Sequence, residues 1–232
     1  MTPVLEVIAC SVNDAVEAEK GGASRLEVIS HFDAGGLTPP AGLVAEIAGN
    51  VSLPLRVMIR EKEGYEAGGR ADLKRLRDRA REMADLGVDG LVLGFLRGGA
   101  LDNEALAFIL EAVPDTKVTF HHAFEALPDP LGEIPSLKQH PQIDRILTAG
   151  GTGGIPARVA RLARYKAAAS PQIQILAGGG MNEDLIRRLR RETRIVEFHT
   201  GRATRFPPTI DGPVNAERVR RLLQALDQER KG

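Results

Sequence analysis

The segment VLEVIACSVNDAVEAEKGGASRLEVIS (4–30) decides the fold. It holds the tetrapeptide LEVI twice, at Leu5–Ile8 and again at Leu26–Ile29, each copy inside a run that reads as a buried strand. Between them lies a stretch with apolar positions at helical spacing, Ala15 and Ala18, closed by Gly21-Gly22. Strand, helix and strand joined this closely form a parallel βαβ unit, with the glycine pair as the helix stop. The puzzle is the glutamate inside each strand. Alternate side chains of a strand share a face, so Glu6 lies with Ile8 and Cys10, and Glu27 with Ile29, while Leu5, Val7, Leu26 and Val28 point the other way. If the Leu/Val face packs on the helices, both carboxylates point to the opposite side of the sheet.

The same unit recurs along the chain. Further β-rich apolar runs are PLRVMIR (54–60), GLVLGF (90–95), KVTFHH (117–122), DRILTA (144–149), IQILAG (173–178) and RIVEFHT (194–200). Helical stretches separate them, such as Leu73, Leu76, Ala80 and Met83 before Gly87, and a last helix is expected over Asn215–Gln228. Regular alternation without a Pro/Gly/Ser linker predicts an α/β protein built as one domain over residues 1–232. Eight βα units in this length predict a single (β/α)8 TIM barrel with a parallel eight-stranded core; an open doubly wound sheet is the alternative.

Composition excludes several function classes. The 31 basic residues balance 31 acidic ones, so no excess of positive charge invites nucleic acid or a membrane surface. The arginines at 187, 188, 190, 191 and 194, and at 218, 220 and 221, have the spacing of solvated helix faces. A single cysteine, Cys10, excludes an internal disulfide framework and fits a reducing, cytoplasmic setting. No run approaches the roughly 18 apolar residues of a spanning helix.

Inside a barrel, strand parity groups Glu6 and Glu27 with further polar side chains: Arg56 and Arg60 on the third strand, Thr119 and His121 on the fifth, Glu197 and His199 on the eighth. Isolated charges in a closed interior cost several kcal/mol each, so the glutamates need partners, and Arg60, His121 and His199 are the expected ones. Glu6, Glu27, Arg60, His121 and His199 are therefore candidate catalytic residues near the carboxyl ends of strands, where barrel chemistry is found. TAGGTGG (148–154) and AGGG (177–180) follow the sixth and seventh strands. Glycines there let backbone N–H groups approach an anion, which makes Gly150, Gly151, Gly178, Gly179 and Gly180 candidate anion ligands. HFDAGGLTPPAG (31–42), with Pro39 placed to open a helix, and REKEGYEAGGR (60–70) are loops on the same face as the glutamates, either lids over the mouth or surface connections. HExxH, paired CxxC, GxSxG and GxxxxGK[ST] are all missing, so zinc peptidase, serine triad and P-loop chemistry have no support and no nucleotide cofactor is expected. His121 and His122, as neighbours on a regular strand, would not both point inward.

LEVIACSVNDAVEAEKGGASRLEVIS (5–30), GGLTP (35–39), VMIREKEG (57–64), DGLVLGFL (89–96), VTFHHAFE (118–125), DRILTAGG (144–151), AGGG (177–180) and VEFHTGRA (196–203) together resemble the copper homeostasis protein CutC family, in order and over nearly the whole chain. The resemblance implies a (β/α)8 barrel, a cytoplasmic homo-oligomer, and a role in copper handling with Cu(I) as ligand. In members proposed to bind Cu(I), the first two strand motifs carry cysteines where this chain has Ile8 and Ile29. Soft Cu(I) selects sulfur, leaving Cys10, His121 and His199 as weak metal candidates. His122 and Glu125 stand where the family pattern has arginine and aspartate, and the segment after the eighth strand, GRATRFPPTIDGPV, is shorter than usual. Two functions compete, a copper-homeostasis protein and a barrel enzyme acting on a small anionic or phosphorylated metabolite by general acid/base catalysis, against a third reading, a scaffold whose polar interior is only packing. For either of the two functions the partner is a small ligand or copper rather than nucleic acid or membrane.

Overall fold

A computed structural model describes residues 2–227. Eight parallel strands form a closed barrel: β1 (Val4–Ala9), β2 (Arg25–Val28), β3 (Leu55–Met58), β4 (Gly90–Leu93), β5 (Lys117–Phe120), β6 (Ile143–Thr148), β7 (Gln174–Ala177) and β8 (Glu197–Thr200), each paired with its sequence neighbour and β8 closing on β1. The helices α1 (Val12–Gly21), α2 (Ala41–Asn50), α3 (Arg70–Asp85), α4 (Asn103–Leu110), α5 (Pro130–Leu137), α6 (Ile155–Ala169), α7 (Glu183–Thr193) and α8 (Ala216–Asp227) follow the strands in turn. The fold is thus the expected (β/α)8 barrel, with one addition that the pattern did not announce, a two-stranded hairpin of Leu96–Arg97 and Ala100–Leu101 after β4. The predicted residue Gln228 at the end of α8 lies outside the described residues. Pro39 does not open α2; Pro40 caps it and the first turn starts at Ala41. None of the helices among the described residues is long and apolar enough to cross a membrane.

Leu5, Val7, Leu26, Val28, Val57, Leu91, Leu93, Val118, Phe120, Ile146 and Phe198 join the large core between barrel and helices. The opposite parity fills the interior, and its lower part is ionic. Arg25 and Arg145 both reach Glu197, at 3.1 Å and 2.6 Å; Arg56 grips Asp144 with two bonds of 3.0 and 2.9 Å and Asp89 with a third of 2.8 Å. A register shift between β5 and β6 inserts Asp144 opposite the Val118/Thr119 step, so Asp144 and Arg145 both enter this layer. Gly90 supplies the space: a Cβ there would stand 2.8 Å from Arg56 Nη1 and 2.4 Å from the Lys117 carbonyl.

Arg56 has no exposed side-chain surface, so removing it strands the carboxylates it neutralises. Arg56→Met is expected to lower the unfolding free energy by about 3 kcal/mol in urea titrations, the lower end for a broken buried pair because Asp89 and Asp144 keep some contact with water.

Candidate active site

The strands end at a cavity of about 930 Å³ at the carboxyl end of the barrel. Its wall includes Glu27, Arg60, His121 and His199 from the expected set, together with Gly151, Gly179 and Gly180. Glu6 lies beneath it, fully buried. Gly150 and Gly178 are not part of the wall, and their N–H groups are already spent on Thr148 Oγ1 at 3.0 Å and the Thr148 carbonyl at 2.9 Å. Cys10 also lies outside the wall.

The centre of the site is a chain of charges running up the barrel. Arg25 Nε donates to Glu6 Oε2 at 2.5 Å; Glu6 Oε1 accepts from His199 Nδ1 at 2.8 Å; His199 Nε2 stands 3.7 Å from Glu27 Oε2. Strand register explains the contacts, since Glu6 is level with both Arg25 and His199. Burial alone would push the Glu6 carboxyl up, but the Arg25 guanidinium and then the His199 bond and charge outweigh it and hold it far below the ordinary value. Glu6 is therefore a fixed anion, and His199 keeps its Nδ1 proton and directs Nε2 toward Glu27. Burial raises the Glu27 carboxyl, opposed by the charge of His199. For His199 burial acts downward, yet the charge of Glu27 and the bond and charge of Glu6 raise it. Both members of the Glu27–His199 contact bind protons more tightly than usual, and Glu27 Oε1 is buried without a hydrogen-bond partner.

His121 behaves differently. Its Nδ1 accepts from the Ala123 N–H at 3.2 Å, so the proton of the neutral ring sits on Nε2, which is buried and unpartnered. Burial, then the charges of His122 and Arg60, lower it to about 3. It is a neutral donor rather than a proton shuttle. Gly94 admits the ring, since a Cβ there would come within 2.8 Å of Nδ1.

Arg60 does not meet Glu6. Its Nε donates to the Gly64 carbonyl at 3.0 Å and its Nη1 to those of Ala34 and Gly36 at 3.1 and 3.0 Å, tying together the 31–42 and 60–70 loops. The partner that Glu6 needed is Arg25, which parity places in the same interior, because RLEVIS puts residues 25, 27 and 29 on one face, and which the β1–β2 register sets level with Glu6. Because β5 ends at Phe120 and a 3-10 turn begins at His122, both His121 and His122 reach the cavity wall, against the regular-strand expectation. Tyr65, Glu125, Arg161 and Arg202 also line it and carried no periodic signal. Glu125 accepts from Thr148 Oγ1 at 2.8 Å and from the Ala149 N–H; burial would raise it, but His122 and these bonds hold it at about 2. One backbone N–H of the first glycine loop is thus taken by an internal carboxylate.

The Cu(I) fit is poor. Burial pushes the Cys10 thiol up to about 11, and Arg205 Nη2 stands 3.7 Å from its sulfur. A protonated thiol beside a guanidinium is a weak ligand for a cation. Ile8 and Ile29 pack with Met58 and Val92 as hydrocarbon. Among the described residues, His, Cys, Asp and Glu side chains nowhere gather in threes as a metal-holding group.

Closed barrel and mouth geometry define a (β/α)8 protein with a proton-binding pair at the carboxyl end of its strands. The sequence matches the CutC family model over residues 4–204. It is 32% identical to a family protein CutC of Xanthomonas axonopodis pv. citri over 97% of this chain and 99% of that one, and 31% identical to the human copper homeostasis protein cutC homolog over 87% and 74%. The solved structure of the putative copper homeostasis protein CutC of Streptococcus agalactiae superposes with a TM-score of 0.80 at 26% identity, covering 86% of this chain and 98% of that one. The chain belongs to the CutC family.

Imidazole NMR titration is expected to place His199 above the ordinary 6.5 and to leave His121 neutral down to about pH 3. Glu6→Gln should bring the His199 midpoint down. Because His121 resists protonation only when folded, its contribution to stability is complete above about pH 6.5 and is lost as pH falls from there toward 3. His199 has the opposite sign: its contribution is complete below about 6.5 and is lost as pH rises through the raised folded value. His121→Gln should flatten the acid limb in denaturant titrations and leave the alkaline limb in place.

Proposed function

We propose that this protein binds a small organic anion in the barrel mouth and moves a proton on it, with Glu27 and His199 as the acid/base pair. The observation that carries the reading is the Arg25–Glu6–His199–Glu27 chain, which fixes one imidazole proton below and leaves a proton-retaining pair facing the cavity. Glu6 orients the imidazole, His121 Nε2 donates to a ligand oxygen, and Arg161 and Arg202 supply positive charge at the wall. Proton abstraction, isomerisation and carbon–carbon cleavage all use this set.

A part in copper homeostasis, in a reducing cytoplasm, is the second reading. It is supported by the names of the human and Streptococcus relatives and by the single unpaired cysteine. The donors present argue that any such part runs through the small ligand rather than through a Cu(I) site at Cys10.

Differential scanning fluorimetry with inorganic phosphate and a panel of phosphorylated and carboxylated metabolites tests the first reading. Some of these anions should raise the melting temperature, and Arg202→Ala, an exposed side chain, should weaken their binding about threefold to tenfold without changing the unliganded melt. If none of the anions shifts the melt, the reading is lost. Anaerobic Cu(I) titration against a competing chelator is expected to give the same weak binding for the natural chain and for Cys10→Ala.

A further inference from the structure

The interior changes character directly beneath the mouth. Above the ionic layer, Ile8, Ile29, Met58 and Val92 form an apolar cluster of their own, separate from the core under the helices, with Phe32 and Cys10 packed against it. Ile8, Ile29, Met58 and Phe32 line the same cavity as Glu27, His121 and His199. Two glycines shape this floor. A Cβ at Gly36 would meet Ile29 Cγ2 at 3.3 Å and Met58 Cε at 3.4 Å, and one at Gly201 would meet Phe32 Cζ at 2.5 Å and Ile8 Cδ1 at 2.9 Å. Phe32 is held in place from behind, with the Arg205 guanidinium 5.2 Å from its ring centre.

We propose that the ligand is a phosphate monoester with a compact hydrocarbon part, aryl or branched alkyl, that lies on Ile8, Ile29 and Met58 while its phosphate faces the loops after β6 and β7. The proposal rests on the reading of the mouth as a small-anion site and adds the ligand's other end. The strand order puts β1 to β3, which carry the floor, across the barrel from β6 and β7, which carry Gly151, Gly179 and Gly180. Among the described residues, no acceptor meets the N–H groups of these three glycines. Arg161 uses Nε on the Gly150 carbonyl and Nη2 on that of Thr152, leaving Nη1 to donate. That many donors suits the three peripheral oxygens of a phosphate better than the two of a carboxylate. Glu27 and His199 then stand between the two ends of the ligand. A cavity of about 930 Å³ far exceeds a phosphate ion and lies in the range of sites for whole organic ligands. A purely polar ligand would give up its own hydration against the isoleucine floor and gain no hydrogen bond in return.

Calorimetric titration of the full chain with inorganic phosphate and with phenyl phosphate tests this, using the natural protein, Ile29→Val and Ile29→Thr. Phenyl phosphate is expected to bind at least tenfold tighter than inorganic phosphate, a gain that burial of about 55 Å² of ring surface supplies. Ile29→Thr should remove most of that gain and leave the inorganic phosphate affinity unchanged, which also verifies the fold, and Ile29→Val should keep it. Phosphate binding without a phenyl advantage overturns the apolar floor and leaves the anion reading standing. An equal loss of both affinities in Ile29→Thr also overturns it. Binding of neither probe overturns the phosphate monoester assignment, while the broader anion reading falls only if the carboxylated metabolites of the panel fail as well.

Discussion

The Glu6 carboxylate, shared between Arg25 below and His199 above, is the interaction on which the rest of the site depends. A carboxylate with no exposed surface survives as an anion only if its desolvation is offset, and here an arginine, itself tied to Glu197, does most of that work. Through Glu197 the same charge connects to Arg145, and through Asp144 to Arg56, so the lower barrel is one neutralised lattice rather than a set of separate pairs. Such a lattice is costly to break at any one member. It gives His199 a rigid, negatively charged support inside a fold whose interior would otherwise be hydrocarbon.

The two buried histidines of the mouth show how environment separates like groups. His199 is flanked by carboxylates and retains a proton; His121 is flanked by a backbone N–H and by positive charge and stays neutral. One is suited to giving and taking a proton, the other to donating a hydrogen bond without changing charge. Arg60, which the sequence offered as a catalytic candidate and a partner for the buried glutamates, spends most of its donors on backbone carbonyls and shapes the loops around the mouth.

Membership of the CutC family and the chemistry of this mouth are compatible once ligand and family name are kept apart. Relatives are named for copper homeostasis. In this chain the only thiol is protonated and lies beside a guanidinium, and Ile8 and Ile29, where the family resemblance led one to expect sulfur, pack as hydrocarbon. What the cavity offers instead is oxygen and nitrogen chemistry over an apolar floor.

Much of this was legible in the residues. The eight apolar runs gave the number and order of strands, because each is short, bounded by turn residues and followed by a stretch of helical period, and parity alone put Glu6, Glu27, His121 and His199 in one interior. Parity is silent on distance. It could not choose Arg25 over Arg60 as the partner of Glu6, since that depends on which strands become neighbours at the same height, and the closing of β8 onto β1 brings together residues almost the whole chain apart. Nor could it find Glu125, His122, Arg161 or Arg202, which sit on turns and loops with no period. The sequence by itself determined the barrel and the polarity of its interior; only the tertiary structure decided which charges meet, because register and strand closure are set by packing across the whole ring.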